Sequence, residues 1–210
     1  VTLSDLEQAY NGAPRVVSAT TVPAGLAVRI TYDGSTAPPT AAGTYAVAAT
    51  VGTASHEGFA TGLLVVAKAP ATVVLDDLAQ TYDGTERMAA ATTEPAGLAV
   101  SFTYNGSATP PVAAGHYQVV GTVADGNHEG TATGLFVVAR APATVALDGL
   151  EHVYDGTPKH GRAITDPAGL AVVWTYDGDC TAPVGAGSYK AVAEIDEANY
   201  AGSATGTLVV

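Results

Sequence analysis

The strongest constraint on this chain is a set of short motifs that return at one fixed interval. The hexapeptide PAGLAV begins at Pro23, Pro95 and Pro167, so it recurs every 72 residues. The tripeptide Y-(N/D)-G, the turn T-Y-(D/N)-G and the step (A/G)-A-G-x-Y keep the same spacing, with no insertion or deletion between copies. Self-similarity at a fixed period is the signature of a repeat architecture. The sequence therefore predicts three tandem repeats, at residues 1–68, 69–140 and 141–210.

Tyrosine and glycine mark the register of the repeats. Nine of the ten tyrosines occupy three positions that every repeat keeps, and a glycine follows the first of these positions. The tenth, Tyr200, takes the position that His56 and His128 hold in the other repeats. We expect the structural motif of the repeat to consist of Tyr10, Gly12, Tyr32, Tyr45, Tyr82, Gly84, Tyr104, Tyr117, Tyr154, Gly156, Tyr176 and Tyr189.

Within each repeat the pattern predicts about six short strands and no helix. After the PAG turn, Leu26, Val28 and Ile30 alternate with other residues, which is the period of a half-buried strand. A D-G or N-G pair ends this strand in every repeat, a typical hairpin turn. The position of Ile30 holds Phe102 in the second repeat and Trp174 in the third. Because this position keeps only its apolar character, we expect it to lie in the core.

Many short strands separated by Gly and Pro turns predict an all-β fold of three small immunoglobulin-like β-sandwich domains. The A-G-x-Y step supports this prediction, because a Tyr at the start of a strand can return its hydroxyl to upstream backbone as a tyrosine corner. A β-grasp-like sheet is the alternative. The last strand, GLLVVA in the first repeat, is apolar on both faces. We expect it to lie centrally or to be covered by a neighbour, and its edge to favour pairing with another chain.

The joints between repeats are the hexapeptides AKAPAT at residues 67–72 and ARAPAT at residues 139–144. Their central Pro70 and Pro142 lack an N–H donor and favour extended backbone. Neither joint contains glycine, which a flexible linker would use. We therefore expect the domains to be held end to end as a rod.

Composition and charge argue against several classes of partner and of chemistry. A net charge of −12 repels nucleic acid and anionic lipid, and a single cysteine, Cys180, rules out an intrachain disulfide. The tripeptide HEG at His56 and His128 is not H-E-x-x-H, and the third repeat replaces it with Tyr200-Ala201-Gly202. We therefore expect no catalytic residue, no cofactor and no metal, so that the protein is not an enzyme.

Every repeat also keeps a cation at one position, occupied by Arg15, Arg87 and Lys159. An intramolecular isopeptide bond requires a lysine amine, and two of the three repeats carry arginine there. We expect an ion pair or a long side chain that covers apolar surface.

In these motifs the chain resembles the bacterial MBG-type repeats that occur in tandem in large surface and adhesin-like proteins. The residues that carry the resemblance are Tyr10-Asn11-Gly12, Thr31-Tyr32-Asp33-Gly34, Ala42-Gly43-Thr44-Tyr45 and Gly62-Leu63-Leu64-Val65-Val66, with their counterparts and the segment ANYAGSATGTLVV of the third repeat. The resemblance covers all three repeats. It implies a secreted bacterial protein of the cell surface without enzymatic activity.

Together these observations predict a structural stalk or spacer segment of a large bacterial extracellular surface or adhesin-like protein. A variant of this function is a subunit of an extracellular filament. The expected partners are neighbouring repeats of the same parent chain and, in the filament, other copies of the chain. The alternative is a module that binds glycan or protein through the loops between its strands.

Overall fold

The computed structural model describes all 210 residues, Val1–Val210, and contains strands but no helix. No segment forms a helix with the length and apolar character that crossing a membrane requires. The prediction of an all-β fold in three tandem repeats is confirmed. The first repeat contains β1 (Thr2–Ser4), β2 (Glu7–Ala9), β3 (Ser18–Thr20), β4 (Arg29–Tyr32), β5 (Gly43–Gly52) and β6 (Glu57–Ala67).

The short strand β7 (Ala69–Pro70) leads into the second repeat, and β15 (Ala141–Pro142) leads into the third. The second repeat contains β8 (Thr72–Asp76), β9 (Ala79–Thr81), β10 (Ala90–Glu94), β11 (Val100–Tyr104), β12 (Gly115–Val123), β13 (His128–Glu129) and β14 (Thr131–Ala139). The third contains β16 (Thr144–Asp148), β17 (Arg162–Asp166), β18 (Val172–Tyr176), β19 (Ser188–Ile195), β20 (Tyr200–Ala201) and β21 (Ser203–Val209).

Each repeat is a small two-layer structure. In the first repeat one layer is the sheet β2-β6-β5-β4, with β2 parallel to β6 and the other pairs antiparallel. The other layer is the antiparallel pair β1-β3. Leu3 of β1 packs against the buried Val17 and Leu64, so the core lies between the layers. The second repeat keeps this arrangement as β11-β12-β14-β9 and β10-β8. The third has the three-stranded sheet β18-β19-β21 and the pair β16-β17, and a single parallel bridge between Glu151 and Val209 takes the place of β2.

The last strand of the first repeat, β6, lies inside its sheet, as predicted, but only one of its faces is covered. Leu64 and Val66 are buried, whereas Leu63 is 59% exposed and Val65 is 42% exposed. The prediction that this strand offers an edge to another chain is wrong, because β2 and β5 pair with it on both sides. The strands at the edges of this sheet are β2 and β4.

The residue at the predicted apolar core position of the third repeat, Trp174, packs against the core. Its neighbour Gly161 has no side chain and so leaves room for the indole ring. Trp174 contacts the cluster around Tyr176 and Leu208, although it is only partly buried. A methyl group on Gly161 would lie 2.6 Å from the indole ring of Trp174. The residues that match Gly161 in the other repeats are Val17 and Ala89, and those that match Trp174 are the smaller Ile30 and Phe102.

The chain divides into two compact units. One comprises Val1–Asp76, Ala91–Phe102 and Val120–Thr133, and the other comprises Asp77–Ala90, Thr103–Val119 and Gly134–Val210. The middle repeat contributes residues to both units. Each joint, together with the strand that pairs with it, therefore lies inside a single compact unit.

Candidate functional site: the joints between repeats

The third of the tyrosines that recur in every repeat forms the predicted tyrosine corner. The hydroxyl of Tyr45 donates to the carbonyl oxygen of Ala41 at 2.9 Å, and that of Tyr117 donates to Ala113 at 2.8 Å. In the third repeat Tyr189 donates to Gly185 at 2.9 Å. Each bond spans four residues and fixes the loop that precedes the long strand. The loops held by Tyr45 and Tyr117 contact the repeat that follows them, as described below.

The second tyrosine of each repeat, at Tyr32, Tyr104 and Tyr176, is a buried core residue that also satisfies backbone. The hydroxyl of Tyr32 accepts the N–H of Val17 at 2.9 Å. Tyr104 accepts the N–H of Ala89 at 2.9 Å, and Tyr176 accepts that of Gly161 at 3.4 Å. All three rings are less than 5% exposed. A buried N–H without a partner is costly, so this tyrosine holds in place the loop before β3, β10 or β17.

The D-G and N-G pairs form the predicted tight turns. Asp33 and Gly34 both have positive φ, at 48° and 84°, as do the equivalent pairs in the other repeats. The Asp33 carboxylate accepts the N–H of Ala46 at 2.8 Å, and Asp177 accepts that of Lys190 at the same distance. In the second repeat Asn105 Oδ1 accepts the N–H of Gln118 at 2.8 Å, so the side chain at this turn position has a structural role in each repeat.

The first tyrosine of each repeat, followed by a glycine, lies at a repeat boundary. Tyr10 packs edge-to-face on His128 with ring centroids 5.2 Å apart, and Tyr82 packs in the same way on Tyr200 at 5.4 Å. Tyr154 of the third repeat is 58% exposed. The glycines two residues later, Gly12, Gly84 and Gly156, all have a left-handed φ near 80°, between 79° and 84°. His128 and Tyr200 occupy equivalent positions, and both thus pack against the preceding repeat.

At the first joint the backbone is a paired strand rather than a free extended link. Strand β7 pairs in parallel with β13, so that Ala69 N–H donates to Asn127 O at 2.8 Å and Ala71 N–H donates to Glu129 O at 2.7 Å. Alternate residues of a strand direct their N–H groups to the same side. Pro70 occupies the intervening position, where no donor is needed.

The second joint repeats this pairing between β15 and β20. Ala141 N–H donates to Asn199 O at 2.8 Å, and Ala143 N–H donates to Ala201 O at 2.9 Å. Pro142 again lies between the two donors. The sequence predicted the extended backbone of both joints but not the strands that pair with them.

An asparagine side chain provides a further contact across each joint. The Oδ1 atom of Asn127 accepts the N–H of Ala42 at 2.8 Å, across 85 residues of sequence. Asn199 Oδ1 accepts the N–H of Ala114 at 2.8 Å, across the same separation. Ala42 and Ala114 belong to the loops that the tyrosine corners hold. These bonds therefore fasten one repeat to the loop of the repeat before it.

A glycine follows each of these asparagines by three residues, because the backbone of the joint passes too close there for a side chain. A methyl group on Gly130 would lie 2.1 Å from the carbonyl oxygen of Ala71, and one on Gly202 would lie 2.0 Å from that of Ala143. Only a residue without a Cβ fits there. We refer to residues 127–130 and 199–202 as the clasp loops. Both have the sequence Asn, then His or Tyr, then any residue, then Gly.

The clasp loops were not predicted from the sequence, although a signal for them is present. The first repeat has Ser55 where the other two have Asn127 and Asn199. Ser55 and His56 are both exposed. The combined pattern N-(H/Y)-x-G occurs only in the two repeats that follow another repeat in this chain. The tripeptide HEG alone does not show this difference, because it occurs in the first repeat as well as in the second.

A family comparison agrees with the repeat geometry. The model of the MBG domain matches the chain three times in tandem, at residues 1–70, 71–142 and 143–210. The chain belongs to the MBG domain family. A comparison with curated proteins gave no match. The resemblance seen in the sequence motifs is thus confirmed over all three MBG repeats.

Asp125 organises the clasp loop of the second MBG repeat. Its Oδ1 atom lies 2.8 Å from the backbone nitrogens of Asn127 and His128, and 2.7 Å from Nδ1 of His128. The hydrogen bond from the His128 side chain, followed by the bond from Asn127 N–H, lowers the pKa of Asp125 below its usual value. Lys68 of the joint reaches the same turn, with Nζ 2.6 Å from the carbonyl oxygen of Asp125.

The recurring cation forms an ion pair in two of the three MBG repeats. Arg87 pairs with Asp83, and Lys159 Nζ lies 2.5 Å from Asp155 Oδ2. The hydrogen bond from Lys159 is the main cause that lowers the pKa of Asp155. Arg15 has no such partner, since Asn11 takes the place of the aspartate. The ion-pair interpretation is therefore confirmed for the second and third repeats.

Cys180 is exposed, as is His56. No group of three or more His, Cys, Asp or Glu side chains is arranged to hold a metal ion. The recurring polar contacts include those of the turns, the tyrosine corners, the buried second tyrosines and the clasp loops.

Proposed function

We propose that the three MBG repeats are a structural spacer, a stalk segment of a large bacterial protein outside the cell. The observation that carries the proposal is the recurrence of one complete set of contacts at both joints. Each joint has a paired strand, an asparagine bond, an aromatic pair and an obligatory glycine. Such joints restrict the freedom of neighbouring repeats, which is the property that a spacer needs.

The roles of the recurring polar side chains support the same proposal. Asn127 and Asn199 bond the preceding repeat, whereas Asp33 and Asp177 bond backbone within turns. Catalysis would instead require groups that face a substrate. We therefore propose that the segment has no enzymatic activity. Its bacterial cell-surface location and its membership of an adhesin-like protein are part of the proposal and follow from the sequence resemblance.

The filament variant has an observation of its own in its favour. On the outer face of β6, Phe59 is 77% exposed and Leu63 is 59% exposed. Exposed apolar side chains on one sheet face can pack against a second chain. In this variant the partner would be another copy of the chain packed against the sheet face, rather than a strand added at the edge.

Two experiments test the spacer. Antibodies raised against the 210-residue chain should label intact source cells, and labelling that requires permeabilised cells would contradict the surface location. In the parent protein, replacing the three repeats with unrelated rigid β-domains of equal length should preserve its activity. Deleting them should reduce that activity. If the replacement is as harmful as the deletion, the repeats themselves bind glycan or protein, which is the alternative function.

A further inference from the structure

One surface of the third repeat matches the surface that the clasp loops cover in the other two. It consists of Tyr154 and the loop Gly185–Gly187, and we refer to it as the third-repeat platform. Tyr154 and Ala186 are both exposed. The equivalent Tyr10 and Ala42 of the first repeat are partly covered by residues 127–130.

We propose that the third-repeat platform is a docking site for the clasp loop of another MBG repeat. The occupant is a repeat whose clasp loop has asparagine, then an aromatic ring, then any residue, then glycine. Its asparagine would accept the N–H of Ala186, and its aromatic ring would pack edge-to-face on Tyr154. The cellular location in the proposed function plays no part in this inference.

The platform is already in the conformation that binds a clasp loop elsewhere in the chain. Tyr189 holds the carbonyl oxygen of Gly185 at 2.9 Å, as Tyr45 and Tyr117 hold their loops. Gly156, two residues after Tyr154, has a φ of 79°, the same value as Gly12 in the first repeat. Docking therefore requires no rearrangement of these two turns, which lowers its entropic cost.

The chemistry of the occupant argues against a second copy of this chain. The two asparagine clasp loops of any copy are engaged by its own joints. The remaining loop begins with Ser55, whose hydroxyl oxygen lies 3.0 Å from Nδ1 of His56. Serine is shorter than asparagine and lacks the amide oxygen that accepts the loop N–H. The partner is thus a repeat other than these three.

The role of the asparagine can be tested in the chain itself by amide hydrogen exchange. Asn127→Ser should speed the exchange of the Ala42 amide about tenfold and leave that of Ala114 unchanged. Asn199→Ser should do the reverse, and Ser55→Asn is the matched control that should change neither. Unaltered exchange at Ala42 and Ala114 in the first two variants would overturn the proposal. Protection of the core amides of Leu64, Phe136 and Leu208, one in each repeat, verifies that the variants remain folded.

The platform is tested by extending the chain. A second copy of residues 139–210, joined after Val210, should slow the exchange of the Ala186 amide about tenfold relative to the unextended chain. A matched extension that carries serine at the position copied from Asn199 should leave this exchange fast. Equal protection by both extensions, or by neither, would overturn the proposal. Concentration-dependent protection of Ala186 in the unextended chain would also overturn it, because the occupant would then be a second copy.

Discussion

At the scale of the residue, the three repeats show how one core position tolerates very different side chains. The position holds Ile30, Phe102 or Trp174, and as its side chain grows the residue at the position of Gly161 changes from valine through alanine to glycine. A methyl group on Gly161 would also lie 2.9 Å from a methyl carbon of Leu150. Core packing at close to crystalline density explains this exchange of volume between neighbours.

The first prediction concerns this pair. Gly161→Ala should lower the free energy of unfolding by about 1–3 kcal/mol, because the added methyl overlaps the indole ring of Trp174. The double variant Gly161→Ala with Trp174→Phe recreates the combination of the second repeat, Ala89 with Phe102, and should recover most of the loss. Urea denaturation measures both values. A double variant that is no more stable than Gly161→Ala alone would contradict the compensation.

The second prediction compares the stability contributed by two recurring tyrosines, one with a buried hydrogen-bond partner and one with an exposed partner. Tyr104→Phe should cost about 1–3 kcal/mol of unfolding free energy, because the buried N–H of Ala89 loses its acceptor. Tyr117→Phe should cost about 0.5–1.5 kcal/mol, since its exposed partner, the carbonyl of Ala113, regains water. Thermal unfolding of the two variants gives the comparison. The opposite order of stabilities would be inconsistent with these roles.

The sequence predicts a residue's contacts well where its bonding partner lies only a few residues away in the chain. The tyrosine corner at Tyr45 closes over four residues, and the turn at Asp33 closes within a hairpin, so spacing alone reveals both. The bond from Ala42 to Asn127 spans 85 residues, and its partner lies in a different repeat. No periodicity within one repeat contains that information. Trp174 illustrates the same limit: its core contacts were predicted, but its partial exposure was not.

At the scale of the element, the clasp loop of the second repeat depends on an ionised carboxylate. Asp125 has a lowered pKa in the folded chain, with the His128 hydrogen bond as the main cause. Its pKa in the unfolded chain is about 3.9. A group whose pKa is lower in the folded state adds stability above the unfolded value, and this stability is lost as the pH falls through the folded value. The joint formed by β7 and β13 should therefore weaken in acid below about pH 4.

The third prediction follows from this linkage. Asp125→Asn should reduce the fall in melting temperature between pH 6 and pH 3, because the carboxylate that protonates is gone. His128→Tyr, which introduces the residue of the third repeat, should reduce the fall less. The other aspartates with lowered pKa, Asp83, Asp155 and Asp179, contribute equally to all three proteins and cancel in the comparison. A pH dependence in Asp125→Asn identical to that of the unmodified chain would refute the assignment.

Strands were predictable from alternation, whereas the order of strands was not. The alternation of Val47, Ala49 and Val51 predicts β5, and all three residues are buried. The apolar run of β6 indicates a central strand, but it gives no sign that Leu63 and Val65 face outward. Side-chain pattern sets which face of a strand is buried, and the pairing partners arise from contacts between distant segments.

At the scale of the whole molecule, the sequence predicts a rod, and scattering in solution tests this prediction. The step of 72 residues is constant, the same contacts recur at both joints, and neither joint contains glycine. Small-angle scattering should fit a single elongated shape, because restrained joints limit the ensemble of bends. The double variant Asn127→Ser with Asn199→Ser should broaden that ensemble while each repeat stays folded, and Ser55→Asn should not. A compact particle, or an unmodified chain that already needs a broad ensemble, would remove the basis for a spacer.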